Sequence, residues 1–122
     1  MVKTAAITGS GKNADEALLR FDDQLTALEN PPQFAFVFYG CSLDDAGIHH
    51  IIGKRWPETT LIGGTSSRGV MSREGMGGEA SVGAFLVWDE TGDYGSAALP
   101  FGEDPKAAAK EALEIALKNA EC

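Results

Sequence analysis

Phe34-Ala35-Phe36-Val37-Phe38-Tyr39 is a run of six apolar residues, set between Pro31-Pro32 and Gly40. A stretch this short between breakers is a strand rather than a helix. Because it is apolar at every position, it predicts a strand buried on both faces of a parallel sheet, and we take it as the central strand. Upstream, Asn13 and Glu16 have capping-box spacing, and Ala17, Leu18, Phe21, Leu25 and Leu28 share one helical face. Asn30-Pro31-Pro32 ends that helix. Before it, Val2 to Thr8 reads as a first strand, closed by Gly9-Ser10-Gly11.

Downstream, Ser42 or Asp44 caps a second helix with Leu43, Ile48, Ile51 and Ile52 on its apolar face, and Trp56-Pro57 closes it. Thr59 to Ile62 follows as a third strand. Gly63 to Glu79 is glycine-rich and too long for an ordinary connection, which marks it as functional. Ser81 to Trp88 and Tyr94 to Leu99 flank the turn-like Asp89-Glu90-Thr91-Gly92-Asp93 and are expected to pair as an antiparallel hairpin. Asp104-Pro105 opens a last helix with the stripe Ala109, Ala112, Leu113, Ala116 and Leu117. The order β-α-β-α-β, β-hairpin, α predicts an α/β layered domain with a mixed β-sheet, a single domain over residues 1–122.

The 122 residues are 43% apolar, enough for one core, and 18 acidic against 10 basic residues give a net charge of −8. That field repels phosphate backbones and anionic lipid surfaces, so neither nucleic acid nor a membrane is an expected partner. Met1-Val2-Lys3-Thr4 has no signal-peptide character, and no apolar run approaches a membrane span. A cytoplasmic protein is expected. Cys41 and Cys122 make no disulfide framework, in keeping with a reducing compartment.

Leu61-Ile62-Gly63-Gly64-Thr65-Ser66-Ser67-Arg68-Gly69 carries the strongest binding signal. Gly63 and Gly64 permit positive φ and close approach of a ligand to the main chain, and Thr65, Ser66 and Ser67 supply hydroxyls. Arg68 offers a planar fork for a carboxylate, with Arg73 further along the same segment; surface pairing with Glu74 and Glu79 is the plainer role for both. Cys41 lies at the carboxyl end of the central strand, where ligands of open α/β sheets collect, and is expected to be a small buried residue lining a pocket. As a nucleophile it lacks an evident base, and Gly47 stands where a Cys-x5-Arg loop needs arginine.

Gly9-Ser10-Gly11-Lys12-Asn13-Ala14 fits a relaxed dinucleotide fingerprint, but Tyr39-Gly40-Cys41-Ser42 puts no acidic residue at the end of the next strand to hold a ribose. An ordinary glycine turn is the better reading. Adjacent His49 and His50 diverge by about 100° on a helix and do not share a metal ion, so they read as a solvated face. No metal or cofactor is expected.

The element order, the strand Phe34 to Tyr39, the block Pro57-Glu58-Thr59-Thr60-Leu61-Ile62-Gly63-Gly64-Thr65-Ser66-Ser67 and the strand Ser81 to Val87 together resemble the N-terminal part of FIST (F-box and intracellular signal transduction) domains. The chain departs from that pattern at Arg68-Gly69-Val70, where the family commonly has Gly-Glu. The resemblance implies a cytosolic sensory input domain that binds a small polar metabolite such as an amino acid and couples to a signalling output domain. It implies sensing rather than catalysis. Two other classes stay open: an enzyme using Cys41, and an oligomerisation module with Trp56, Phe101 and the alanine stripe at its interface.

Overall fold

The computed structural model describes residues 1–120 of the chain; Cys122 lies outside the described residues. Its elements are β1 (Lys3–Ser10), α1 (Ala14–Thr26), β2 (Phe34–Tyr39), α2 (Asp45–Arg55), β3 (Thr60–Thr65), β4 (Met71–Ser72), β5 (Gly75–Met76), β6 (Ser81–Trp88) and α3 (Pro105–Asn119). Four strands form a mixed sheet in the order β1-β6-β2-β3, and β4 pairs with β5 as a separate small hairpin. β1, β2 and β3 run the same way, since β6 is antiparallel to both β1 and β2 while β3 is parallel to β2. This is the expected α/β domain with a mixed sheet.

The helices begin where the sequence places their caps. The Asn13 side chain accepts from the Glu16 N–H at 2.9 Å, and Asp44 rather than Ser42 caps α2 through the Ala46 N–H. Glu16 does not return to the cap as a capping box requires; it pairs instead with Arg20 at 2.7 Å. Asp104 caps α3 through the Ala107 N–H, with Pro105 in the first turn.

One face of the sheet carries the core. Strand alternation sends Ile7, Ala35, Val37, Val82, Ala84 and Leu86 toward α1 and α2, where they meet Phe21, Leu25, Ile48 and Ile52. Burying side chains such as Phe21 and Leu25 contributes roughly 1.5–3 kcal/mol each. α1 lies unusually close to β1 because Gly9 has no side chain: a Cβ there would fall 2.5 Å from Ala17 O and 2.7 Å from Phe21 N. Nothing comparable draws α2 onto the sheet. It is tied instead to α1 by Arg55 Nη2 and Asp22 Oδ1, 2.6 Å apart.

Five expectations are corrected. Tyr94 to Leu99 does not pair with β6, because β1 and β2 already occupy both edges of that strand. The segment follows the outer edge of β3 instead, with Thr60 Oγ1 donating to Tyr94 O and Ser96 Oγ donating to Leu61 O, both at 3.1 Å. β2 is interior to the sheet but not buried on both faces, for Phe36 is 41% and Phe38 46% exposed. Both helices that cover the sheet lie on the other side. Trp56 is buried in the core, so it is unavailable to an interface, whereas Cys41 is exposed. On α3 no residue is fully buried: Leu113 and Leu117 are exposed, and the half-buried residues include Ala112, Ile115 and Ala116.

Candidate functional site

β3 runs through Thr65, so Gly63 and Gly64 belong to an edge strand rather than to a loop. Neither has the positive φ that the sequence suggested. They matter for a different reason. Thr60 N–H donates to Gln33 O and Ser66 N–H to Tyr39 O, so even-numbered residues of β3 bond inward to β2. The main-chain groups of Leu61, Gly63 and Thr65 therefore point outward, away from the sheet. Ser96 takes up Leu61 O. At Gly63, among the described residues, the outward N–H and C=O have no protein partner.

Beside that edge lies a cleft of about 820 Å³, between β3, α2 and the segment Ser96-Ala97-Ala98. Its volume falls within the ordinary range of small-molecule sites. Val37, Ile48, Ile52 and Leu61 supply apolar wall, while Tyr39, Asp45, His49, His50 and Ser96 supply polar groups. The cleft exists because α2 stands away from the sheet and because glycine at 63 and 64 and alanine at 97 and 98 leave little bulk between them. Burial raises the pKa of the Tyr39 hydroxyl, and the charges of Asp45 and Asp44 push it the same way, which marks the mouth as negatively charged.

The structure divides the predicted site residues. Gly63 and Gly64 line the cleft, while Thr65, Ser66, Ser67, Arg68 and Cys41 are not among its walls. Ser66 is engaged in closing its own turn: its hydroxyl donates to Gly69 O at 2.6 Å and its N–H to Tyr39 O at 2.8 Å. Ser67 sits in the left-handed region at φ 54°, a conformation disfavoured for a residue with a side chain, and its carbonyl accepts from the Cys41 N–H. Arg68 is exposed beyond this turn. The Cys41 thiol is free and exposed, and no described side chain is bonded to it.

Two features of the site were missed from the sequence. His49 and His50 are exposed, as read, yet both form part of the cleft wall. Ser96 to Ala98 lies within the expected strand Tyr94 to Leu99, and its run of small residues is the signal for a close but unpaired approach. A second, smaller hollow of about 180 Å³ lies between the end of β1 and the β4–β5 hairpin. Ser81, the one buried polar residue of the described chain, pins that hairpin by accepting from the Val70 N–H and donating to Gly78 O. At the head of α1, where a pyrophosphate would rest, Glu16 instead crowds Gly11, whose Cβ would fall 2.7 Å from Glu16 Cβ and Cγ. A carboxylate there disfavours an anion.

Among the described residues no group of three or more His, Cys, Asp or Glu is arranged to hold a metal ion, and no helix is long and apolar enough to cross a membrane. No family model matches the chain, and no curated protein matches it.

Proposed function

We propose that this chain is a cytoplasmic sensory domain of the FIST type that binds a small polar metabolite, such as an amino acid, in the cleft between α2 and β3. One observation carries the reading: an edge strand with an unpaired Gly63 N–H and C=O opens directly onto a cavity of ligand size. A free amino acid brings complementary groups. Its ammonium suits Asp45 and the Gly63 carbonyl, its carboxylate suits the Gly63 N–H and an imidazole N–H of His49 or His50, and an apolar side chain suits Ile48 and Ile52. Binding rather than chemistry is what such a set does well, since no nucleophile with an adjacent base faces the cavity. Coupling to a signalling output domain belongs to the same reading.

The test is calorimetry and thermal shift against a panel of free amino acids, their amides and the corresponding deaminated acids. At least one amino acid should stabilise the parent. Asp45→Lys should abolish that response without unfolding the protein, because Asp45 is an exposed residue of the cleft wall and the partner assigned to the ligand ammonium. Unchanged affinity in the folded variant would remove the cleft from consideration.

A further inference from the structure

On the reading of the cleft as a ligand site, we propose that it takes a short peptide with a free amino terminus, held as an added strand on the edge of β3. This narrows the ligand from any small polar metabolite to one chemical class. The two edges of the sheet differ. On β1 the outward carbonyls are capped from α1, since Gln24 Nε2 donates to Thr8 O and Arg20 Nη1 to Ser10 O. On β3 no side chain does this past Leu61: among the described residues, the outward N–H and C=O of Gly63 and of Thr65 have no protein partner. An open edge of this kind is a template for another extended chain, and peptides use it in strand-addition complexes.

Volume and charge favour a peptide over a single amino acid. The cleft of about 820 Å³ lies toward the upper end of the range for drug-sized ligands, far above what one amino acid fills. Asp45 fixes the direction of the chain. It opens α2 after the turn that leaves β2, and so stands at the end of the cleft where β2 and β3 finish. Tyr39, which pairs with Thr65 at that end, feels the charges of Asp45 and Asp44. A peptide whose ammonium meets Asp45 begins beside Thr65 and runs back toward Leu61, antiparallel to β3. No Lys or Arg lines the cleft to receive a carboxylate. In a free amino acid that group sits on the carbon bearing the ammonium, whereas each added residue moves it about 3.4 Å along the edge.

Register then decides which peptide groups matter. Alternate residues of an antiparallel pair exchange both N–H···O bonds, so the first peptide residue meets Thr65 and the third meets Gly63. The third residue donates its N–H to Gly63 O and accepts from the Gly63 N–H, while the N–H of the second points away from β3. Residues directly opposite share a face, and Gly63 pairs with Val37, which is buried on the helix side of the sheet. The third side chain therefore enters the cleft, where Val37, Ile48 and Ile52 form an apolar wall and Gly63 contributes no bulk of its own. An apolar third residue follows. Ser96, whose hydroxyl occupies Leu61 O, closes the edge beyond it.

The experiment is calorimetry on the full chain with the peptides Ala-Ala-Leu-Ala and Ala-Ala-Phe-Ala, their N-acetylated forms, and forms N-methylated at the second or at the third residue. The free peptides should bind about tenfold or more tightly than free leucine or phenylalanine, and acetylation should cost about tenfold or more. Methylation at the third residue should cost as much, and methylation at the second clearly less. Thr65→Pro removes an outward N–H and spares the ladder to β2, so it should fold and weaken binding about tenfold, while Thr65→Ala, which keeps the main chain, should change it less than about threefold. Circular dichroism checks both variants, and the N-methylated pair decides alone if Thr65→Pro does not fold. Free amino acids that bind as tightly as the peptides, or in their place, overturn strand addition and leave the cleft as an amino-acid site. Binding of neither overturns it together with the reading of the cleft as a ligand site. Peptide binding indifferent to the methyl group on the third residue, or weakened equally by both, places the peptide off the β3 edge and overturns it as well.

Discussion

The adjacent glycines of β3 should respond oppositely to a single methyl group. A Cβ on Gly63 would lie far inside 3.0 Å of Val37 O, a main-chain atom of the neighbouring interior strand that cannot rotate away. Relief requires separating β3 from β2 at this point, where Val37 pairs with Gly63, and disturbing the pairs beyond it, Phe38 with Gly64 and Tyr39 with Thr65. Overpacking against flexible side chains costs about 1–3 kcal/mol, and a backbone collision belongs at or above the top of that range, so Gly63→Ala should cost about 3 kcal/mol or more. For a domain of this size the total stability is about 6–18 kcal/mol, and 3 kcal/mol corresponds to a fall in Tm of roughly 10–15 °C. At Gly64 the same methyl meets nothing within 4 Å, and the residue is outside the left-handed region. Gly64→Ala should therefore stabilise the protein by about 0.4–1 kcal/mol, by restricting the unfolded chain. Urea denaturation followed by far-UV circular dichroism measures both. Equal stability of the two variants, or a Gly63→Ala protein as stable as the parent, would refute the reasoning and the edge-strand geometry behind the cleft.

Ser81→Ala should leave the Val70 N–H and Gly78 O without their partner and cost about 1–3 kcal/mol; hydrogen exchange at Val70 and proteolysis within residues 71–76 should accelerate while β6 stays protected. Asp89 has its pKa lowered chiefly by the hydrogen bond from Tyr94, at 2.8 Å. A depressed carboxylate stabilises the fold above its unfolded pKa and loses that contribution as pH falls through the folded value, so Tyr94→Phe should flatten the dependence of stability on pH below the usual carboxylate range, and NMR titration should move Asp89 upward. The bond raises the Tyr94 pKa in turn, a contribution present below the ordinary phenol value and lost as pH rises above it. Asp22→Ala removes the partner of Arg55 across the α1–α2 contact; both side chains are partly exposed, so the loss should be near or below about 1 kcal/mol and should shrink in high salt.

Local chemistry was enough to place the three helices and the four strands of the main sheet. Asn13, Asp44 and Asp104 start helices because a short side chain brings its Oδ1 within reach of an orphan N–H, whatever the rest of the chain does. The apolar run at Phe34 to Tyr39 made β2 interior for the same local reason, since a strand of such residues has no alternative to the sheet centre. What the sequence could not determine was which edges and faces remain free. Ser81 to Trp88 and Tyr94 to Leu99 have the pattern of a hairpin, yet β6 is claimed on both sides by β1 and β2, strands distant in sequence, and the second run is left to follow β3. Phe36 and Phe38 look like core because hydrophobicity is a property of the residue, while burial depends on which side of the sheet receives the helices. The Gly63-Gly64 signal was legible as composition, but its meaning came from the pairing register, which turns the Gly63 N–H and C=O outward beside a helix that stands away from the sheet. Pairing and layering are settled by long-range competition for the same few edges and faces, and that competition has no local signature in the chain.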